Sequence, residues 1–233
     1  MTARDLVFGA IRRALGVTGA EAPRRKAVED RLRDHPRGVV PKRGQLGTPE
    51  RIGLFVSKVE AVSGTTHRIA SLDELPAAVA QYLRSHNLSL AIKRGADPTL
   101  AAAPWHASPA LTVTLGPSEG SDLVAISHAF GAAAETGTLV LLSGADNPTT
   151  LNFLPDNHIV VIAAETIDGD YESVLARLRD RFGAERLPRA INLITGPSRS
   201  ADIEQTLILG AHGPRRLHVV LVGGPHPDEQ LNA

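Results

Sequence analysis

The sequence contains no cysteine. That absence removes a thiolate nucleophile, any disulfide and the ligands that usually hold an iron–sulfur cluster. Redox chemistry would therefore draw on groups outside this chain. Also missing is any apolar run near the roughly 20 residues that span a bilayer. The first stretch, "MTARDLVFGAIRRALGV", carries Asp5 and lacks an apolar block ending in a small-residue cleavage site. The expectation is a cytoplasmic protein with no membrane span.

Net charge is the third absence, since 25 Lys and Arg balance 25 Asp and Glu. The balance is uneven along the chain. Residues 1–60 hold thirteen basic against seven acidic side chains, leaving twelve against eighteen in the remainder. The basic excess is concentrated in "RRKAVEDRLRDHPRGVVPKR", residues 24–43, which has no interleaved aromatics on which bases could stack. This reads as a solvated or partly ordered arm and not as a nucleic-acid-binding segment.

What is present is enough apolar residue, 42% of 233, for one large core or two small ones. A first helix is expected over about 4–15. In "GTPERIGLFVSKVEAVSG", Thr48 can cap, Pro49 suits the first turn, and Ile52, Phe55, Val56, Val59 and Val62 recur at helical spacing until Gly64. "SLDELPAAVAQYLRSHN" has Ser71 and Glu74 at capping-box spacing. Short apolar runs follow at 88–93, 111–115, 123–126, 138–142, 158–163, 190–195 and 216–222, with helices expected at 171–182 and about 201–209. Strands alternating with helices predict an α/β fold with a mostly parallel sheet covered by helices. In "FGAAAETGTLVLL" the Thr136-Gly137 pair sits between two strand-like runs and predicts a hairpin, which makes the sheet mixed.

Three stretches could carry chemistry. "GPSRSADIE", residues 196–204, follows an apolar strand. Gly196 allows a turn, Pro197 stops the ladder, and Ser198 or Ser200 can cap a following helix whose free amides, with Arg199, suit an anion. Asp202 and Glu204 would occupy the same first turn and already suit the helix dipole. A capped helix, a polar ligand contact and a metal site all remain open here. "AAAETG" puts Glu135 at a hairpin tip beside Gly137, where a carboxylate can be a nucleophile or base, or a turn glutamate in water. Lys93 and Arg94 close a strand whose carboxyl edge would face a crevice, as anion contacts or as solvated side chains. The histidines are scattered without ligand spacing, and His212 reads as a helix C-terminal cap.

The pieces "AETGTLVLLSG", "FLPDNHIVVI" and "INLITGPSRSADIEQTLILGAHGPRRLHVVLV" together resemble the LutC/YkgG family of lactate-utilisation proteins, built on one LUD domain. The pattern Gly-Pro-Ser, Ala-Asp-Ile-Glu, Gly, His-Gly-Pro falls at 196–198, 201–204, 210 and 212–214. The resemblance divides the chain into a basic helix and arm, 1–45, and a LUD domain, 46–233. It implies a fold like NagB, RpiA and the CoA transferases. It also implies a role in oxidising L-lactate to pyruvate beside iron–sulfur partner proteins, with no cofactor in this chain. The ligand expected for the turns, Thr136, Gly137, Gly196, Ser198, Arg199, Ser200, Asp202, Glu204 and Lys93 among them, is a small carboxylate or phosphorylated metabolite. CoA transferases use a glutamate in a Glu-x-Gly turn, which "ETG" resembles. The alternative reading is accordingly a stand-alone enzyme acting on an acyl-CoA or phosphorylated metabolite through Glu135.

Overall fold

The basic stretch near the amino terminus is helical in part. Helix α1 (Ala3–Leu15) opens with a reciprocal cap, in which the Thr2 hydroxyl accepts from the Asp5 amide and the Asp5 carboxylate accepts from the Thr2 amide at 2.8 Å. Helix α2 (Ala22–Asp34) is laced on its surface by Lys26, Asp30 and Arg33 ion pairs. These helices belong to one unit, Met1–Val39, and everything that follows belongs to a second, Val40–Ala233. The computed structural model describes residues 2–183, 186–200, 208–210 and 212–224.

The second unit runs α3 (Thr48–Ala61), β1 (Thr65–Ile69), α4 (Leu75–Ser85), β2 (Ala91–Arg94), α5 (Pro98–Ala102), β3 (Thr112–Leu115), β4 (Val124–His128), β5 (Gly131–Ala133), β6 (Thr138–Leu142), α6 (Thr150–Phe153), β7 (Asn157–Ala163), β8 (Ile167–Asp168), α7 (Tyr171–Phe182), β9 (Ile191–Ile194), β10 (Arg199–Ser200), β11 (Ile208–Leu209) and β12 (Arg216–Val222). Six strands form one wholly parallel sheet in the order β1-β12-β7-β4-β2-β3. The expected hairpin is present, with Ala133 opposite Thr138, but it lies in a second sheet ordered β8-β5-β6-β9. The mixed, mostly parallel α/β arrangement is therefore divided between two sheets.

Strand alternation explains how the sheets stack. Along β7, Ile159 and Val161 point to one side, where they join Leu75, Val79 and Leu83 of α4 and Leu100 of α5. Val160 and Ile162 point to the other, where they meet Leu217, Val219 and Leu221 of β12, Ile52, Phe55 and Val59 of α3, and Leu139 and Leu141 of β6. One face of the parallel sheet is thus covered by helices, and the other by α3 together with the second sheet. Each fully buried Leu, Ile or Phe in these layers contributes about 2 kcal/mol against solvent exposure. Helix α7 is set by Asp170, whose carboxylate accepts from the Ser173 amide at 2.9 Å.

Two local expectations are corrected. Thr48 lies inside α3, whose N-cap is Gly47, and no side chain caps that end. The helix expected over about 201–209 does not reach its carboxyl limit, because Ile208–Leu209 pairs antiparallel with Arg199–Ser200. Residues 201–207 lie outside the described residues. The Gly210 amide donates to the Ser198 carbonyl at 2.9 Å, closing this pair as a β-ribbon, so His212 is not a helix cap there.

Candidate functional site

The two sequence-predicted turns are supported by the same helix end. Gly137 has φ +70, and a Cβ there would stand 2.7 Å from the Lys58 Cβ and 2.9 Å from the Val59 amide nitrogen. Gly196 has φ +90, and its Cβ would stand 2.7 Å from a Val62 methyl. Only glycine lets both turns press on the last turn of α3. A hydroxyl network joins them: Thr138 Oγ1 lies 2.6 Å from Thr195 Oγ1, 2.7 Å from the Tyr171 hydroxyl and 2.8 Å from Thr136 Oγ1.

From that shared base the turns face different surroundings. Glu135 is buried at the N-terminus of α7, with Oε1 3.4 Å from the Tyr171 amide and Oε2 3.8 Å from Arg43 Nε. A carboxylate at this place is favoured by the positive end of the helix dipole. Gly196, Ser198 and Arg199 instead line a cavity of about 270 Å³, whose wall also includes Asn152, His158, Thr195, His212 and Gly213. Glu135, Thr136 and Gly137 are not among the residues lining it.

The anion cradle expected at the second turn is altered by these contacts. The Ser198 amide already donates to the Pro214 carbonyl at 2.9 Å. The Arg199 Nη2 donates to the Val62 carbonyl and, at 2.9 Å, to the Ser63 hydroxyl, satisfying the carboxyl end of α3. Arg199 brings positive charge to the cavity while tied to that helix end. Ser200 sits in β10, and Asp202 and Glu204 lie outside the described residues. Lys93 is elsewhere, in a smaller cavity with Ser89, Thr114 and Asp122, its Nζ 4.0 Å from Asp122.

Sequence reasoning missed a buried polar relay, two of whose residues, Asn152 and His158, help line the 270 Å³ cavity. Ser127, on β4, donates to Asn152 Oδ1 at 2.8 Å and lies 3.1 Å from His158 Nε2. All three residues are buried, and Asn152 Nδ2 and His158 Nδ1 have no hydrogen-bond partner among the described residues. Burial lowers the His158 imidazole to about 3, so it is neutral near pH 7. The available signal was a histidine opening the apolar run of β7.

A second acid–base pair was also missed. His128, at the carboxyl end of β4, has Nδ1 3.3 Å from Asp97 Oδ2 beside a cavity of about 580 Å³ that Arg177 and Arg181 also line. Burial alone would raise the Asp97 carboxyl. Hydrogen bonding and charge from His128, with the Leu100 and Thr99 amides, outweigh it and hold the group below its ordinary value. An imidazole oriented by a carboxylate in this way can serve as a general base. Among the described residues no cluster of three or more His, Asp or Glu could hold a metal ion, and no helix is long and apolar enough to cross a membrane.

Comparison with known proteins follows this geometry. "Lactate utilization protein C" of Geobacillus sp. (strain WCH70) is 42% identical over 90 residues, 38% of this chain and 37% of that protein. The protein of the same name from Halalkalibacterium halodurans is 40% identical over 100 residues, 42% and 44% of the two chains. The chain thus matches less than half the length of these relatives. The crystal structure of a DUF162 family protein from Deinococcus radiodurans shares the fold, with a TM-score of 0.56 and 24% identity over 76% of this chain and 99% of that one. The model of the LUD domain matches residues 52–222, which include both turns, both sheets and the cavity wall, and the chain belongs to that family.

Proposed function

We propose that this chain serves lactate utilisation as a subunit that binds a small carboxylate, L-lactate first, in the 270 Å³ cavity. The observation that carries this reading is convergence. Phe153 and His158 of "FLPDNH" and the stretches "GPS" and "HGP", far apart in sequence, line one cavity to which Arg199 brings a positive charge. A guanidinium at a cavity wall suits a carboxylate ligand. The names of the relatives supply the metabolite, and the cavity volume suits a metabolite of a few carbons.

Conversion of lactate to pyruvate releases two electrons and two protons. In this reading the electrons leave to iron–sulfur partner proteins, consistent with a chain that has no cysteine of its own. Exposed Phe153 and Leu193 rim the cavity mouth, where such a partner would close the site from water.

Deletion of this chain from its host tests the reading. Growth on L-lactate is expected to stop while growth on pyruvate continues, with recovery on re-expression of the intact chain. Unchanged growth on lactate would overturn it. A second reading rests on Glu135, whose Oε2 is buried without a hydrogen bond, as the nucleophile of a stand-alone acyl-CoA enzyme. Thioester turnover by the purified chain, abolished in Glu135→Gln, is the result that reading requires.

A further inference from the structure

We propose that the cavity of about 580 Å³ at the carboxyl edge of the parallel sheet is a second ligand site, which takes a hydroxylated organic anion through His128 and Arg181. The place itself follows from how the chain leaves two neighbouring strands. Strands β2 and β4 lie side by side and parallel, with Arg94 opposite Ile126. Beyond β2 the chain enters α5, whose Leu100 packs in the core with α4. Beyond β4 it enters β5, whose Ala132 packs with α3 in the core on the other face. Adjacent parallel strands whose continuations part to opposite faces leave a crevice outside their carboxyl ends, and ligands bind in α/β sheets at such a point.

The two exits carry a polar pair. Asp97 follows β2 and His128 ends β4; their side chains are 19% and 24% exposed, and both line the cavity. Asp97 is held below its ordinary value, so it is a carboxylate and can only accept. The 3.3 Å contact therefore fixes a proton on His128 Nδ1, and in the neutral ring the lone pair falls on Nε2. Nε2 has no hydrogen-bond partner among the described residues and, unlike His158 Nδ1, is not an enclosed atom. An acceptor presented in this way takes the hydrogen of a ligand hydroxyl.

The cation comes from α7. Arg177 and Arg181 stand one turn apart in the cavity lining, with guanidinium carbons 4.6 and 5.7 Å from the centre of the Phe130 ring. Arg177 is committed to the fold, donating to Asp168 at 2.7 Å and to the carbonyls of Phe130 and Thr166. Arg181 is exposed and has no ion pair among the described residues, which leaves its fork of donors for a carboxylate or phosphate. Asp146, also exposed in the lining, disfavours a second anionic group. The volume is about twice that of the 270 Å³ cavity, more than a three-carbon acid fills, and suits one anionic group on a chain of hydroxyls.

Titration calorimetry of the full chain with gluconate, glucose 6-phosphate, glucose and inorganic phosphate tests this. One or both of the hydroxylated anions are expected to bind at least about tenfold more tightly than glucose or inorganic phosphate, and the two of them separate a carboxylate from a phosphate preference. Arg181→Ala, at an exposed position, is expected to keep the wild-type Tm and to weaken the anion about tenfold, toward the level of glucose. Long-range proton–nitrogen correlation spectra of the wild-type imidazole give a readout independent of any variant. The neutral His128 ring is expected to be protonated at Nδ1, and its Nε2 resonance to shift as the anion saturates the chain. Excess L-lactate is expected to leave that titration unchanged, because Gly196, Ser198 and Arg199 line a different cavity. Binding of none of the four, glucose binding as tightly as the anions, an Nε2 resonance that does not move, or competition by lactate would overturn the proposal. The deletion phenotype on lactate judges the broader role separately, because growth can depend on this chain whether or not the larger cavity takes a ligand.

Discussion

Glu135 and the Asn152–Ser127–His158 relay are both buried polar groups, and they are accommodated by different means. Glu135 keeps the environment of a charge: a helix N-terminus, the Tyr171 amide and the Arg43 guanidinium. The relay is composed of neutral groups that satisfy one another in the middle and leave their ends unmatched. Glu135 thus has a helix end and a guanidinium beside it, although its Oε2 makes no hydrogen bond. The relay has neutral groups only, and two of its residues help line the cavity that Glu135 does not touch. The difference separates the two turns into a supporting turn at 135–137 and a cavity-lining turn at 196–199.

Glycine substitutions test that division most severely. Gly137→Ala places a methyl against the Val59 amide nitrogen and the Lys58 Cβ at positive φ, and backbone gives way poorly. Loss of about 3 kcal/mol or more is expected. Gly196→Ala meets the Val62 side chain, which can rotate, so a loss of about 1–2 kcal/mol is expected. Chemical denaturation of both variants checks the order, and an equal loss would mean that the turns bear on α3 alike.

Acid separates the two environments next. His158 has a folded-state pKa of about 3, and His218, lowered by burial and by His67 and His86, about 4, both against an ordinary 6.5. The unfolded chain takes up protons that the native state refuses. Stability is therefore complete above pH 6.5 and declines as pH falls toward the folded values, by about 2 kcal/mol for each histidine at pH 5. His158→Gln is expected to flatten this limb by one histidine's share in urea titrations at pH 7 and pH 5. An unchanged slope would show that His158 is already protonated in the native protein.

Much of the scaffold behind this contrast was legible in the chain. The run at 216–222 is β12 and the pattern at 171–182 is α7, because a short valine-rich apolar run and a capped amphipathic repeat each have one good conformation. "GPSRS" misled because serine after Gly-Pro is the local chemistry of a helix start. Pairing of Arg199–Ser200 with Ile208–Leu209 is a tertiary choice that overrides it. The relay was invisible for a different reason. Asn152, Ser127 and His158 stand on α6, β4 and β7, each unremarkable alone, and only the parallel register of β4 with β7 brings them together. Glu135 was visible as a candidate by its turn, whereas the cation beside it, Arg43, lies in the stretch read as part of a solvated arm.

Glu135→Gln sharpens the comparison from the charged side. The amide keeps the shape and loses the charge that the α7 N-terminus favours, so a loss of about 1 kcal/mol is expected, visible as a small fall in Tm. Because Glu135 is not in the cavity wall, affinity for L-lactate should stay within about twofold, a ratio worth roughly 0.4 kcal/mol. A folded Glu135→Gln protein that no longer binds lactate would join the two turns into one site and end the division drawn between them.

Arg199→Ala carries the smallest expected effect on stability, since the side chain is exposed and its role at α3 is to satisfy the Val62 carbonyl and the Ser63 hydroxyl, which water can replace. A loss under about 1 kcal/mol follows. Its charge is nevertheless the cation that the described residues bring to the cavity wall from this turn. Lactate affinity should fall several-fold, more at low salt than at high salt, while the ratio between lactate and pyruvate stays fixed. The charge attracts any carboxylate alike. A ratio that moves with Arg199 would show that the guanidinium reaches past the carboxylate to the second carbon.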